Sequence, residues 1–130
     1  MIYFYIAAGG AAGAVARYLL SGWVQSGWLQ KREAVAFPWG TLTVNVLGCL
    51  MMGLLAKLLF DASILRAEYR TAILVGTLGA FTTFSTFSYE TLSMLNDGQY
   101  KPAIAYVLLT NALCFLAVWA GYRTGESLRA

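Results

Sequence analysis

Residues 82–88 read TTFSTFS, a segment in which five of seven side chains carry a hydroxyl group and the other two are phenylalanines. Together with Phe81, the rings recur at i, i+3 and i+6, a spacing that predicts one shared helix face. Hydroxyl donors and the partly positive edges of aromatic rings can replace the water around a small anion. Without a fixed positive charge, such a site would hold the ion weakly enough for it to leave. The alternative is an ordinary aromatic stripe packed in a core.

Three further polar side chains lie in apolar stretches and need partners. Arg17 would snorkel to the end of its segment, attract anions at a vestibule or pair with a carboxylate. Asn45 would form a hydrogen bond between helices or donate to a permeating anion. Glu90, which follows the hydroxyl segment, would cap a helix, pair or titrate, and the sequence leaves these roles open.

Tyr106, Thr110 and Cys114 are spaced four residues apart, which places them on one face of a predicted helix. That face either joins helices by hydrogen bonds or lines a pore. Cys49 and Cys114 stand singly and the sequence has no histidine, so a zinc site or a Cys–His nucleophile is not expected. No base accompanies a nucleophile and no phosphate loop is present, so an enzyme is not expected. No basic run longer than residues 31–32 exists to bind nucleic acid.

The elements that must position these residues are membrane helices. Of the 130 residues, 59% are hydrophobic and 12% charged, and the mean hydropathy is +0.64, whereas soluble domains carry about 25% charged residues. Four apolar segments are long enough to cross a bilayer as helices, at about residues 2–23, 40–60, 70–95 and 102–122. The predicted fold is one all-α membrane domain with four transmembrane helices. The first helix is expected to be retained, because it lacks a preceding basic region and a clear cleavage site.

The third span is predicted to be broken. Gly76, Gly79 and the hydroxyl segment disfavour a continuous helix, because Ser and Thr side chains compete for backbone hydrogen bonds. Irregular backbone at membrane depth survives only inside protein or beside a water-filled cavity, and freed carbonyl groups commonly bind a cation there. The broken segment is therefore expected not to face lipid. Close glycine spacings in the first two spans, such as Gly9 with Gly13, indicate tight helix packing.

The cationic residues are divided almost equally between the two membrane faces. Alternating spans place five on one face and four on the other, namely Lys57, Arg66, Arg70, Arg123 and Arg129 against Arg17, Lys31, Arg32 and Lys101. Because the Lys/Arg bias sets orientation, a near tie predicts insertion in both directions and antiparallel pairing of two copies. The alternative is that one or two of these positions decide the orientation.

Three motifs resemble the Fluc fluoride channels, also called CrcB. They are GTLTVN at 40–45, GGAAGAVARY at 9–18 and, above all, GTLGAFTTFSTFSYE at 76–90. The resemblance implies a multi-pass protein of the bacterial inner membrane that forms an antiparallel, dual-topology homodimer. It also implies two pores that passively export fluoride from the cytoplasm and so lower its toxicity. A structural sodium ion would bind the backbone carbonyls of Gly79 and Thr82.

The resemblance also assigns roles to individual side chains. Arg17 matches the first-span arginine of the family, and Cys114 stands where a serine is often found. The residues that match the fluoride pore are Asn45, Phe84, Ser85, Thr86, Phe87, Glu90, Tyr106 and Thr110. Two other classes remain as alternatives. One is a four-span, proton-coupled multidrug exporter, and the other is a packing subunit without transport of its own.

Overall fold

The structure is a computed structural model that describes residues 1–26, 37–60 and 65–129. These residues form helices and connecting turns, with no strand in the described ranges. Three helical stretches are long and apolar enough to cross a membrane: Trp39–Leu59, Ala67–Asn96 and Tyr100–Ser127. The protein is therefore an all-α, multi-pass membrane protein. Lys31 and Arg32, which entered the charge comparison, lie outside the described residues.

The first helix, α1 (Ile2–Ser26), has 25 residues. At about 1.5 Å per residue it is long enough to cross the hydrocarbon core. It is nevertheless not among the three stretches that also meet the apolar requirement. Its many glycines and Arg17 account for this, since they lower the hydropathy without shortening the helix.

The second helix, α2 (Trp39–Phe60), packs along the last helix, α6 (Tyr100–Ser127). Glycines bring their backbones together: a Cβ on Gly53 would overlap the carbonyl oxygen of Val118, and one on Gly121 would overlap that of Leu50. Such close approach without side chains is typical of helix pairs in lipid. The two helices consequently pack closely against each other.

The third stretch is irregular in two places. It consists of α3 (Ala67–Thr71), a π-helical segment (Ala72–Leu78), α4 (Gly79–Phe81) and α5 (Phe84–Asn96). Between α4 and α5, Thr82 and Thr83 are extended, with φ/ψ of −81°/159° and −148°/111°. The predicted break is confirmed.

The break overturns one prediction, that Phe81, Phe84 and Phe87 share a helix face. Phe81 ends α4 and is buried, whereas Phe84 begins α5 and is 78% exposed. Only Phe84 and Phe87 remain neighbours, with ring centroids 5.6 Å apart. The spacing argument failed because it assumes a continuous helix.

The α1 helix packs on the π-helical segment, as its glycines predicted. A Cβ on Gly13 would overlap the carbonyl oxygen of Thr77, and one on Gly9 would lie 2.7 Å from that of Ala72. A hydrophobic core cluster lies between α2, α5 and α6. Its buried side chains are Leu42, Phe87, Met94, Ala103 and Tyr106.

Candidate functional site

Asn45 of α2 holds the break together. Its side-chain oxygen accepts a hydrogen bond from the Thr83 backbone N–H at 2.8 Å, and its side-chain NH₂ donates to the Thr83 carbonyl oxygen at 3.1 Å. One amide thus satisfies both backbone polar groups of a residue that lies outside any helix. Asn45 is 6% exposed and retains a second amide hydrogen. Of its two predicted roles, the structure shows the contact between helices.

Thr83 is also the N-cap of α5. Its hydroxyl oxygen accepts from the Thr86 backbone N–H at 3.1 Å, and its hydroxyl donates to Thr86 Oγ1 at 2.9 Å. The Ser85 hydroxyl oxygen is 3.3 Å from Thr83 Oγ1. The hydroxyl segment therefore has two local effects. It starts a new helix, and it satisfies the backbone groups exposed there.

These side-chain contacts release two backbone carbonyl groups. In an unbroken helix the Gly79 carbonyl would accept from Thr83 N–H, and the Thr82 carbonyl from Thr86 N–H. Both N–H groups donate to side-chain oxygens instead. The carbonyls of Gly79 and Thr82 are thus deprived of their usual helical donors. Hard cations such as sodium favour oxygen ligands of this kind.

Arg17 takes a position that the sequence did not predict. Its Nε donates to the Ala80 carbonyl oxygen at 3.2 Å, so it reaches from α1 to the end of α4. The side chain is half-buried and binds backbone rather than a carboxylate. Arg17 therefore satisfies a carbonyl next to the break and fixes α1 against it.

A cavity of about 270 Å³ opens beside the break. Its lining is mainly apolar and includes few polar groups. Its lining comprises Asn45, Gly48, Cys49, Met52, Thr82, Thr83, Phe84, Phe87, Thr110, Asn111 and Cys114. The Thr110 hydroxyl is buried and has no hydrogen-bond partner among the described residues. A polar atom left unpaired in this way is unusual, and Thr110 is one of the residues that line the cavity.

A second, more polar cavity of about 540 Å³ lies further along α5. Glu90 borders it, and its two carboxylate oxygens accept hydrogen bonds from the Thr41 hydroxyl at 2.8 Å and the Tyr106 hydroxyl at 2.7 Å. Of the predicted roles for Glu90, the structure shows pairing, with hydroxyl groups as the partners. Thr86 also lines this cavity, whereas Ser85 lines neither of the two.

Phe87 and Tyr106 connect the surroundings of the two cavities through a ring contact. Their ring centroids are 5.1 Å apart, and both side chains are buried. Phe87 lines the first cavity, while the Tyr106 hydroxyl reaches Glu90 at the second. The face predicted for Tyr106, Thr110 and Cys114 is thus turned inward, although only the last two share a cavity.

Sequence reasoning missed two polar side chains of the site. Thr41 lies one helical turn before Asn45, a spacing that could have signalled a shared face. Gln25 accepts from the Gly40 N–H at 3.0 Å and donates to the Phe37 carbonyl at 3.1 Å, at the start of α2. The position of Gln25 at the end of α1 offered no comparable signal.

These features define a class of multi-pass helical membrane proteins. In this class one span is broken, side chains bind the backbone at the break, and a mainly apolar cavity with few polar groups lies beside it. Residues 4–122 match the family described as "CrcB-like protein, Camphor Resistance (CrcB)", and the chain belongs to that family.

Relatives match over most of the chain. It is 46% identical over 123 residues to the "Fluoride-specific ion channel FluC" of Geobacter sulfurreducens, and the match covers 95% of both chains. A protein of the same name from Magnetococcus marinus is 47% identical over 122 residues, covering 94% of this chain and 95% of the relative. The one from Acidobacterium capsulatum is 42% identical over 130 residues and covers both chains fully.

Proposed function

We propose that the protein is a fluoride-selective channel that lets fluoride leave the cytoplasm passively and so lowers its toxicity. The observation that carries the proposal is the cavity beside the break, which is lined by Phe84, Phe87 and Thr110, a residue whose hydroxyl has no partner among the described residues. Relatives that match nearly the whole chain are named fluoride-specific channels, which supports fluoride as the ion.

The lining suits a small anion that must be stripped of water and then released. The Thr110 hydroxyl and the second amide hydrogen of Asn45 can each donate to the ion. The ring edges of Phe84 and Phe87 add a weak positive potential. Within the described part of the chain, no Lys or Arg lines this cavity. Binding would therefore stay weak enough for conduction.

The second cavity would continue the path past Thr86 and Glu90. A carboxylate would repel fluoride, but both oxygens of Glu90 accept hydrogen bonds. The role proposed for Glu90 is therefore to orient the hydroxyls of Thr41 and Tyr106. Ser85 would contact the ion only where a second chain completes the path. At the vestibule, the only role proposed for Arg17 is to fix α1 against the broken span.

The assembly proposed is an antiparallel homodimer of four-span chains, inserted in both orientations in the inner membrane, with two pores and a structural sodium ion. The near tie in Lys and Arg supports dual insertion. The freed carbonyls of Gly79 and Thr82 would supply ligands for sodium. Exposed aromatic side chains such as Phe84, Phe115 and Trp119 leave apolar area for a second copy or for lipid.

Efflux from liposomes tests the function directly. Purified protein in vesicles loaded with fluoride should release it rapidly to a fluoride electrode once a potassium ionophore balances the charge. Phe87→Ile should slow the release, while Phe4→Ile, at a ring that is 73% exposed, should not. No fluoride release, or equal release of chloride, would refute the channel.

Two further measurements test the assembly. Replacing sodium with a large organic cation should weaken the dimer in mild detergent, and an unchanged dimer would argue against a structural sodium ion. A C-terminal tag should be accessible from both sides of the membrane. Detection on one side only would reject dual insertion.

The proton-coupled multidrug exporter requires a buried carboxylate that is free to exchange a proton for a cationic drug. Glu90, the carboxylate considered for this role, has both oxygens engaged by hydroxyl groups. Proton-driven uptake of a lipophilic cation into the same vesicles would favour this alternative over the channel.

A further inference from the structure

Cys49 of α2 and Cys114 of α6 are brought together by the packing of these two helices. Gly53 packs against the backbone of Val118, and Cys49 and Cys114 lie one turn back along their helices from these two residues. Both thiols are half-buried and free. The packing of α2 on α6 thus fixes the positions of the two cysteines relative to each other.

Both thiols line the cavity beside the break. One further turn back along α6 lies Thr110, which is 6% exposed and whose hydroxyl has no partner among the described residues. It lines the same cavity and can donate a hydrogen bond to a sulfur atom that has become negatively charged. Two thiols and a residue with an unused donor therefore line one cavity.

We propose that Cys49 and Cys114 form a binding site for a soft divalent metal ion that accepts two sulfur ligands in a line, as Hg²⁺ does. Thiolate ligands select soft metals. Zinc would need four ligands, and the described residues contain no group of three or more His, Cys, Asp or Glu that could hold a metal. A two-coordinate ion needs only the pair.

Charge balance also favours a divalent ion. On binding, two S–H bonds break, two S–Hg bonds form, and two protons leave to water, with no change in oxidation state. The product, a divalent ion with two thiolates, is neutral. A neutral complex is the form that a mainly apolar cavity tolerates, because an unpaired buried charge is costly. A monovalent ion with two thiolates would leave a negative charge.

Metal retention on the purified full-length protein tests the site, with Hg²⁺ as the probe. The protein is loaded, washed with an excess of a competing monothiol, desalted and analysed for mercury per chain. The wild type should retain one ion per chain. Cys49→Ser and Cys114→Ser should each bind at least about a hundredfold more weakly, because simultaneous engagement of two linked ligands gains about 10²–10⁴. Retention by a single variant equal to that of the wild type would overturn the proposal.

A second measurement needs no variant and so does not depend on how the variants fold. Free thiols are counted with a maleimide as Hg²⁺ is added to the wild type. The proposal expects both thiols to be protected by one ion, whereas protection of one thiol per ion would overturn it. Neither measurement involves fluoride, so the result of each is independent of the proposed channel function. If the channel function holds, the bound ion should also block efflux in the wild type.

Discussion

Replacing Asn45 with leucine removes the clamp on the broken span while keeping a side chain of similar size. Thr83 then loses the partners of both its N–H and its carbonyl group, which now lie 2.8 and 3.1 Å from the amide. An unsatisfied buried polar group costs about 1–3 kcal/mol. Because Thr83 is half-buried and borders a cavity, water replaces part of the loss. The expected decrease in the free energy of unfolding is about 2–4 kcal/mol.

The decrease is measured by titration with SDS in mild detergent, followed by tryptophan fluorescence. Asn111→Ala is the matched control: this exposed amide donates to the Val107 carbonyl of its own helix, at 2.8 Å. It should change the stability by less than about 0.5 kcal/mol. If Asn45→Leu costs no more than the control, the clamp does not hold the break, and the reasoning is refuted.

Asn45→Asp separates the two hydrogen bonds of the clamp. The carboxylate still accepts from the Thr83 N–H, but its other oxygen faces the Thr83 carbonyl and repels it. The loss in stability should therefore be at least as large as with leucine, because a buried negative charge is added. Efflux should also fall, since the amide donor is gone. Unchanged efflux would remove Asn45 from the proposed pore.

Three other predictions concern the packing around the site, each measured by the same SDS titration. Gly53→Ala places a Cβ against a backbone carbonyl and should cost about 1–3 kcal/mol. Its control, Gly22→Ala, has open space and should be neutral or stabilising by up to about 1 kcal/mol. Thr83→Ala removes the N-cap and should cost about 1 kcal/mol, whereas Thr83→Ser should retain the cap. Tyr106→Phe removes a 2.7 Å hydrogen bond to a carboxylate and should cost about 1.5–3 kcal/mol, unlike Tyr89→Phe at an exposed ring.

Each comparison has an outcome that contradicts it. Equal stabilities of the two glycine variants would mean that α2 and α6 can separate without loss. A serine at position 83 that destabilises as much as alanine would show that the methyl group, not the hydroxyl, matters there. If Tyr106→Phe and Tyr89→Phe behave alike, the hydroxyl of the buried ring contributes nothing to stability.

The sequence predicted the break but not which side chains bind the backbone exposed there. Glycine and hydroxyl density at residues 76–88 is a local property, and local competition for backbone hydrogen bonds is enough to interrupt a helix. The partner of the exposed backbone is Asn45, which is 38 residues from Thr83. Likewise, Arg17 binds the carbonyl of Ala80, 63 residues away. No periodicity along the chain indicates such pairs.

Composition, segment length and residue spacing determined by themselves that this is a helical membrane protein with an irregular, hydroxyl-rich third stretch, because those properties depend on short-range physics. The resemblance of its motifs added the family and, with it, fluoride. Only the tertiary structure decided that Phe81 is buried while Phe84 is exposed, that Glu90 binds two hydroxyl groups, and that Cys49 and Cys114 line one cavity. The reason is that glycine contacts between helices set their relative register, and that register, not the order of residues, determines which polar groups meet.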